Sequence, residues 1–166
     1  MKRILLAGAL ALSTTVLSAC AGFTPLYARP GVEGGLSSIE TEAAEGRGGY
    51  LLREQLDDAF NHHQGGPAAY KLVFAVNETR FARGVRLDNV ANRYELKMSV
   101  TWKLLDAKTR AELHKGLTDV SVTYDSADQP YAAIAAQQDG QERAATEAAR
   151  KIQLDLATWL AAKRPA

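Results

Sequence analysis

The stretch YELKMSVTWKL, residues 94–104, alternates without a break: Tyr94, Leu96, Met98, Val100, Trp102 and Leu104 fall on one phase, and Glu95, Lys97, Ser99, Thr101 and Lys103 on the other. Period two over that length has no helical explanation, so this is a strand with one covered face and one face turned to water or to a polar partner. Just downstream, the short polar Asp106-Ala107-Lys108-Thr109-Arg110 predicts a hairpin. Its return strand runs from about Ala111 to Tyr124, where Val120, Val122 and Tyr124 alternate with Ser121 and Thr123. Leu113 and Leu117 are out of phase with that set, and Gly116 offers a place for a bulge to correct it. Upstream, Tyr70, Leu72, Phe74 and Val76 alternate with Lys71, Val73, Ala75 and Asn77, a further strand with one strongly apolar face.

Helical spacing appears on either side of these strands. Between Tyr50 and Asn61, Leu52, Leu56, Ala59 and Phe60 share a face while Arg53, Glu54, Asp57 and Asp58 lie elsewhere on the wheel, and Gly65-Gly66-Pro67 ends the helix. Asp128-Gln129-Pro130 predicts a second helix start, and the Ala-, Gln-, Glu-, Arg- and Leu-rich stretch to about Ala162 continues it. Its stripe is Ile134, Ile152, Leu156 and Trp159 with Ala145, Ala148 and Ala149, and Gly140 is a candidate kink. One short strand is expected within residues 35–41. The elements therefore run strand, helix, strand, strand, strand, helix. This predicts an α+β fold with two helices packed on one face of a mostly antiparallel four-stranded sheet.

The N-terminus carries a different signal. Lys2 and Arg3 precede the apolar run Ile4 to Leu12, and the small residues Ser18 and Ala19 close it, which is the order of an export signal. A transmembrane anchor is the competing reading, weakened by Ser13, Thr14, Thr15 and Ser18. Cys20, the single cysteine of the chain, stands where cleavage would fall, and Leu17-Ser18-Ala19-Cys20 resembles the bacterial lipobox, whose thiol and freed amine receive acyl chains. Several chains make such an attachment effectively permanent, because each buried CH₂ contributes about 0.8 kcal/mol. With Ala21 and Gly22 following, the aspartate of inner-membrane retention is absent, and delivery to the outer membrane is expected.

The expected organisation is a signal peptide over residues 1–19, a Gly- and Pro-rich lipidated tether over 20–34, and one domain over 35–166. Removing Lys2 and Arg3 takes the formal charge from +1 to −1, which leaves no electrostatic footprint for nucleic acid. With one cysteine there is no internal disulfide.

Catalytic constellations are missing from the sequence, so no enzyme and no cofactor are expected. His62-His63 invites a metal, but adjacent helix-end side chains diverge and His114 is the only other imidazole. Gly46-Arg47-Gly48-Gly49 precedes a helix as a phosphate cradle would, yet lacks the lysine and hydroxyl of a nucleotide loop and reads as a flexible turn. Arginines cluster between the second and third strands: Arg80, Arg83, Arg86 and Arg93, interleaved with Phe81, Val85, Leu87 and Val90. Guanidinium forks bind phosphate, and the apolar neighbours could meet acyl chains. The competing reading is a solvated loop whose charges offset acidic neighbours.

Cys20-Ala21-Gly22-Phe23-Thr24-Pro25-Leu26-Tyr27 resembles the mature start of LPS-assembly lipoproteins of the LptE type, with Ala21 inserted after the cysteine. The likeness continues through Tyr50 to Phe60, Arg93-Tyr94-Glu95-Leu96, Val120 to Tyr124 and Tyr131-Ala132-Ala133. The resemblance implies a scaffold that plugs the lumen of the LPS-translocating β-barrel LptD, assists its assembly, binds lipopolysaccharide and helps deliver it to the outer leaflet. Under that resemblance Arg80, Arg83, Arg86 and Arg93, then Lys97 and Lys103, are candidates for the lipid A phosphates. An auxiliary lipoprotein of an ABC-type lipid exporter and a lipid-anchored hydrolase are the alternatives.

Overall fold

A computed structural model of the chain describes residues 26–42, 45–61, 67–85, 91–126 and 129–163. The signal segment, Cys20, His62, His63 and Arg86 lie outside the described residues. The elements are a 3₁₀ turn (Leu26–Ala28), α1 (Val32–Ser37), β1 (Ile39–Thr41), α2 (Gly46–Phe60), β2 (Tyr70–Val85), β3 (Ala91–Asp106), β4 (Glu112–Asp125) and α3 (Pro130–Lys163).

The sheet order is β1-β2-β3-β4. β2, β3 and β4 pair antiparallel in sequence, but β1 pairs parallel to β2, with Ile39 opposite Tyr70. The sheet is therefore mixed. The physical reason is α2: a helix between β1 and β2 carries the chain back to the end where β1 began, as a parallel neighbour requires.

One face is covered. Leu96, Met98, Val100, Trp102 and Leu104 of β3 are buried, joined by Leu72 of β2 and Val120 of β4. α2 lays Leu51, Leu52, Leu56 and Phe60 on them. α3 adds Ala144, Ala145, Ala148, Ala149, Ile152, Leu156, Ala157 and Leu160, a stripe in which small residues bring the backbone close to the strands. Ile134, expected on that stripe, is 54% exposed. The helix passes through Gly140 without interruption. A side chain there would begin 2.9 Å from the ring of Tyr124, so the glycine serves the approach of helix to strand and marks no break in it.

Two strands differ from expectation in instructive ways. β2 runs nine residues past Val76, to Val85. Its helix-side phase changes there from Leu72, Phe74 and Val76 to Glu78 and Arg80, and polar residues on that phase hide a strand from a period-two reading. In β4 the register shift lies between the pairs Leu104–His114 and Leu105–Glu112, so Leu113 is the extra residue and Gly116 is in regular register. Gly116 faces Trp102 across the ladder: a Cβ would stand 2.3 Å from Cζ2 of the indole.

The N-terminal glycine-rich stretches are also more ordered than their composition suggests. Val32 and Leu36, one helical turn apart on α1, enter the core, and Gly35 admits the side chain of Leu160. Gly46-Arg47-Gly48-Gly49, read as a turn, is the first turn of α2: Gly46 has φ +77°, and Gly48 and Gly49 are buried.

Candidate functional site

Opposite the helices, the second sheet face is left bare by the described residues. Lys97, Thr101 and Lys103 of β3 and Ser121 and Thr123 of β4 are exposed, as strict alternation demands. Charged groups on this face are matched one against another. Arg83 Nε lies 2.5 Å from Glu95 Oε2, Arg93 Nε 2.8 Å from Asp125 Oδ1, and Lys97 Nζ 3.9 Å from Asp119 Oδ1. Lys103 and Lys115, opposite each other in register, share Glu112 at 2.9 and 3.0 Å. At the β1 edge Lys71 approaches Glu40 at 3.9 Å.

The titration behaviour follows from this pairing. The hydrogen bond from Arg93, and then its charge, hold Asp125 below the ordinary carboxylate range; Lys103 and then Lys115 do the same to Glu112. Both carboxylates are thus anionic throughout the neutral range, and the face presents a ladder of compensated charges with hydroxyls between them.

Arg80 does not join the other candidates. It sits on the helix-side phase opposite Leu96, donates to Gln137 Oε1 of α3 at 2.8 Å, and stacks over the Tyr94 ring with 4.8 Å to the centroid. Arg83 lies on the other face, over the exposed Phe81 ring at 5.6 Å. Arg80, Arg83 and Arg93 are strand residues, so the expected arginine loop is in part a two-stranded ribbon. Arg83 and Arg93 come together at one end of the bare face, Lys97 follows, and Lys103 stands toward the far end. In the folded chain acidic neighbours offset the charges of Arg83, Arg93, Lys97 and Lys103. The carboxylates that do so sit on the same alternating phase as the cations, a signal present in Glu95 and visible for Asp119 and Asp125 once the β4 register is known.

A polar cluster that sequence reasoning missed lies under the helices. Glu78 Oε2 accepts from Gln141 Nε2 at 2.7 Å, and Gln141 Oε1 accepts from Arg47 Nε at 3.1 Å. Glu78 Oε1 fills the space that a side chain on Gly48 would need. Here three elements, β2, α2 and α3, are tied by one chain of hydrogen bonds. His114 is likewise structural: its Nε2 lies 2.8 Å from Asp155 Oδ1 and its ring stacks on Trp159 and meets Trp102 edge-on. Among the described residues no three of His, Cys, Asp and Glu converge as metal ligands would.

Residues 36–156 match the family model described as LptE, lipopolysaccharide-assembly. Among solved structures, a candidate lipoprotein from Caulobacter crescentus CB15 is 84% identical, with a TM-score of 0.72 over 82% of this chain and 99% of that one. Rare lipoprotein B from Shewanella oneidensis shares the fold at 15% identity, TM-score 0.51, covering 73% of this chain and 92% of that one. Lipoprotein B from Nitrosomonas europaea does so at 16% identity, TM-score 0.53, covering 73% and 81%. No curated protein sequence matches the chain.

Proposed function

Because this chain belongs to the LptE lipopolysaccharide-assembly family, we infer that it is a lipid-anchored, non-catalytic plug for a large LPS-translocating β-barrel of the LptD kind. It assists that barrel's assembly and the delivery of lipopolysaccharide to the outer leaflet. Acylation at Cys20 fixes it to the outer membrane. The observation that carries the reading is the bare sheet face. A barrel lumen is polar and hydrogen-bonding, and a plug matched to it needs many donors and acceptors with little net charge. The paired ladder of Arg83–Glu95, Arg93–Asp125, Lys97–Asp119 and Lys103–Glu112, with Ser99, Thr101, Ser121 and Thr123 between, has that character.

In this reading Arg83, Arg93, Lys97 and Lys103 engage lipid A phosphates by exchange, each phosphate displacing a carboxylate partner. Arg80 takes no part, because its guanidinium is committed to Gln137 and Tyr94. Co-purification from intact outer membrane tests the proposal. One large β-barrel protein recovered in about equal amount supports it. Recovery with inner-membrane transporter subunits instead would establish the auxiliary-exporter alternative, and recovery alone with measurable turnover would establish a hydrolase.

A further inference from the structure

β4 is the outer strand of the sheet and, among the described residues, has β3 as its only strand neighbour. A free edge of 14 residues is long, and its segment Leu117 to Asp125 contains no proline or glycine and is rich in β-branched residues. Such an edge is a template for another strand. Two side chains of α3 reach round it. Lys151 Nζ donates to the backbone carbonyl of Asp119 at 2.9 Å, and Arg143 Nη2 donates to the backbone carbonyl of Thr123 at 3.3 Å.

These contacts are in register. Eight residues of helix separate Arg143 from Lys151, about 12 Å of rise, and four residues of strand separate Asp119 from Thr123, about 13 Å. Residues of one parity along a strand point their backbone groups to one side, so the carbonyls of Asp119 and Thr123 and the N–H and C=O of Ser121 all belong to the free edge. Arg143 is itself steadied by Asp139 one turn earlier, at 2.8 Å.

We propose that Arg143 and Lys151 are guards on the β4 edge, which keep this strand from pairing antiparallel with β4 of a second copy of the chain. The second copy is the fitting occupant because the edge is self-complementary. A two-fold axis at Ser121 sets Asp119 opposite Thr123 and Leu117 opposite Asp125, with no like charges facing. Exposed Leu117 adds an apolar contact at the end of that pairing. The proposal stands apart from the barrel-plug reading, since it concerns only the isolated chain and its own edge.

The test is the oligomeric state of the full chain in mild detergent, followed by sedimentation across protein concentration. Wild type is expected to remain monomeric, and Arg143→Ala/Lys151→Ala to dimerise at a concentration at least ~10-fold lower. Adding Ser121→Pro, which removes an edge N–H and is tolerated on an outer strand, should return the double variant to monomer. Arg143→Met/Lys151→Met keeps the side-chain stems while removing the donors, and serves if the alanine pair does not fold. A donor-less variant that stays monomeric overturns the proposal, as does wild type dimerising equally well or self-association that persists with Ser121→Pro.

Discussion

Gly116→Ala is the substitution whose outcome the core geometry determines most sharply. In β4 an added methyl would lie 2.3 Å from Cζ2 and 2.6 Å from Cε2 of Trp102, where carbon–carbon contact needs about 3.5–4.0 Å. The indole must retreat by more than about 1 Å, yet it is 1% exposed and its N–H is held by Thr118 Oγ1 at 3.1 Å. Overpacking of this kind costs about 1–3 kcal/mol, against a gain of about 0.5–1 kcal/mol from replacing glycine in a strand. The net expectation is a loss centred on about 1.25 kcal/mol within limits of about 0–2.5, or about 2–5 °C in Tm at the centre for a domain of this size. Urea unfolding followed by circular dichroism reads it. In a Trp102→Phe background the far ring atoms are gone, and the same methyl should be neutral or stabilising. That coupling of about 1–3 kcal/mol is the signature of a direct clash. Equal cost in both backgrounds, or no cost with Trp102 present, refutes the account of Gly116 as the space for the indole.

Two further outcomes follow from the turn and from the charged face. Arg110, at φ +60°, closes the β3–β4 turn in a conformation that favours glycine; Arg110→Gly should raise stability by about 0.5–1 kcal/mol in urea unfolding, a gain that its exposed pairing with Glu42 at 3.6 Å is too weak to cancel. The ladder carboxylates Asp125 and Glu112 have folded-state pKa values lowered by their cationic partners, so their contribution is full above the unfolded value and is lost as pH falls through the lower folded one. Binding to anionic lipid vesicles should therefore be flat from pH 8 to 5 and rise only below about pH 4, where Arg93 and Lys103 are released; a rise beginning near pH 6 would contradict the paired-charge description.

β3 was fully legible because both of its phases are pure: every inward residue from Leu96 to Leu104 is apolar and its outward neighbours are polar. β2 was legible only to Val76. Its continuation depends on Glu78 and Arg80 finding Gln141 and Gln137 on a helix about sixty residues away in sequence, and no local pattern announces such partners. The parallel placement of β1 is a matter of topology, and three residues cannot signal it. α1 was hidden by Gly34 and Gly35, although Val32 and Leu36 at i, i+4 were its trace; Gly35 is required by the nearness of Leu160, a tertiary fact. For the candidate site, the residue types were readable and their directions were not. Whether an arginine meets solvent, a carboxylate or a helix depends on strand register, which turned Arg80 inward while Arg83 and Arg93 faced the acidic ladder.

β2 begins beside β1 and the C-terminal end of α3, and it carries the chain through 16 residues to the hairpin end where Arg83 and Arg93 stand. At strand rise that is about 50 Å, a ruler built into the sheet. The six residues from Cys20 to Leu26 can extend at most about 20 Å. On the lipid anchor proposed for Cys20, a chain standing with β2 along the membrane normal would set the two ends of that strand at depths that differ by more than the about 30 Å thickness of a bilayer's hydrocarbon core, a difference the shorter tether could not make up.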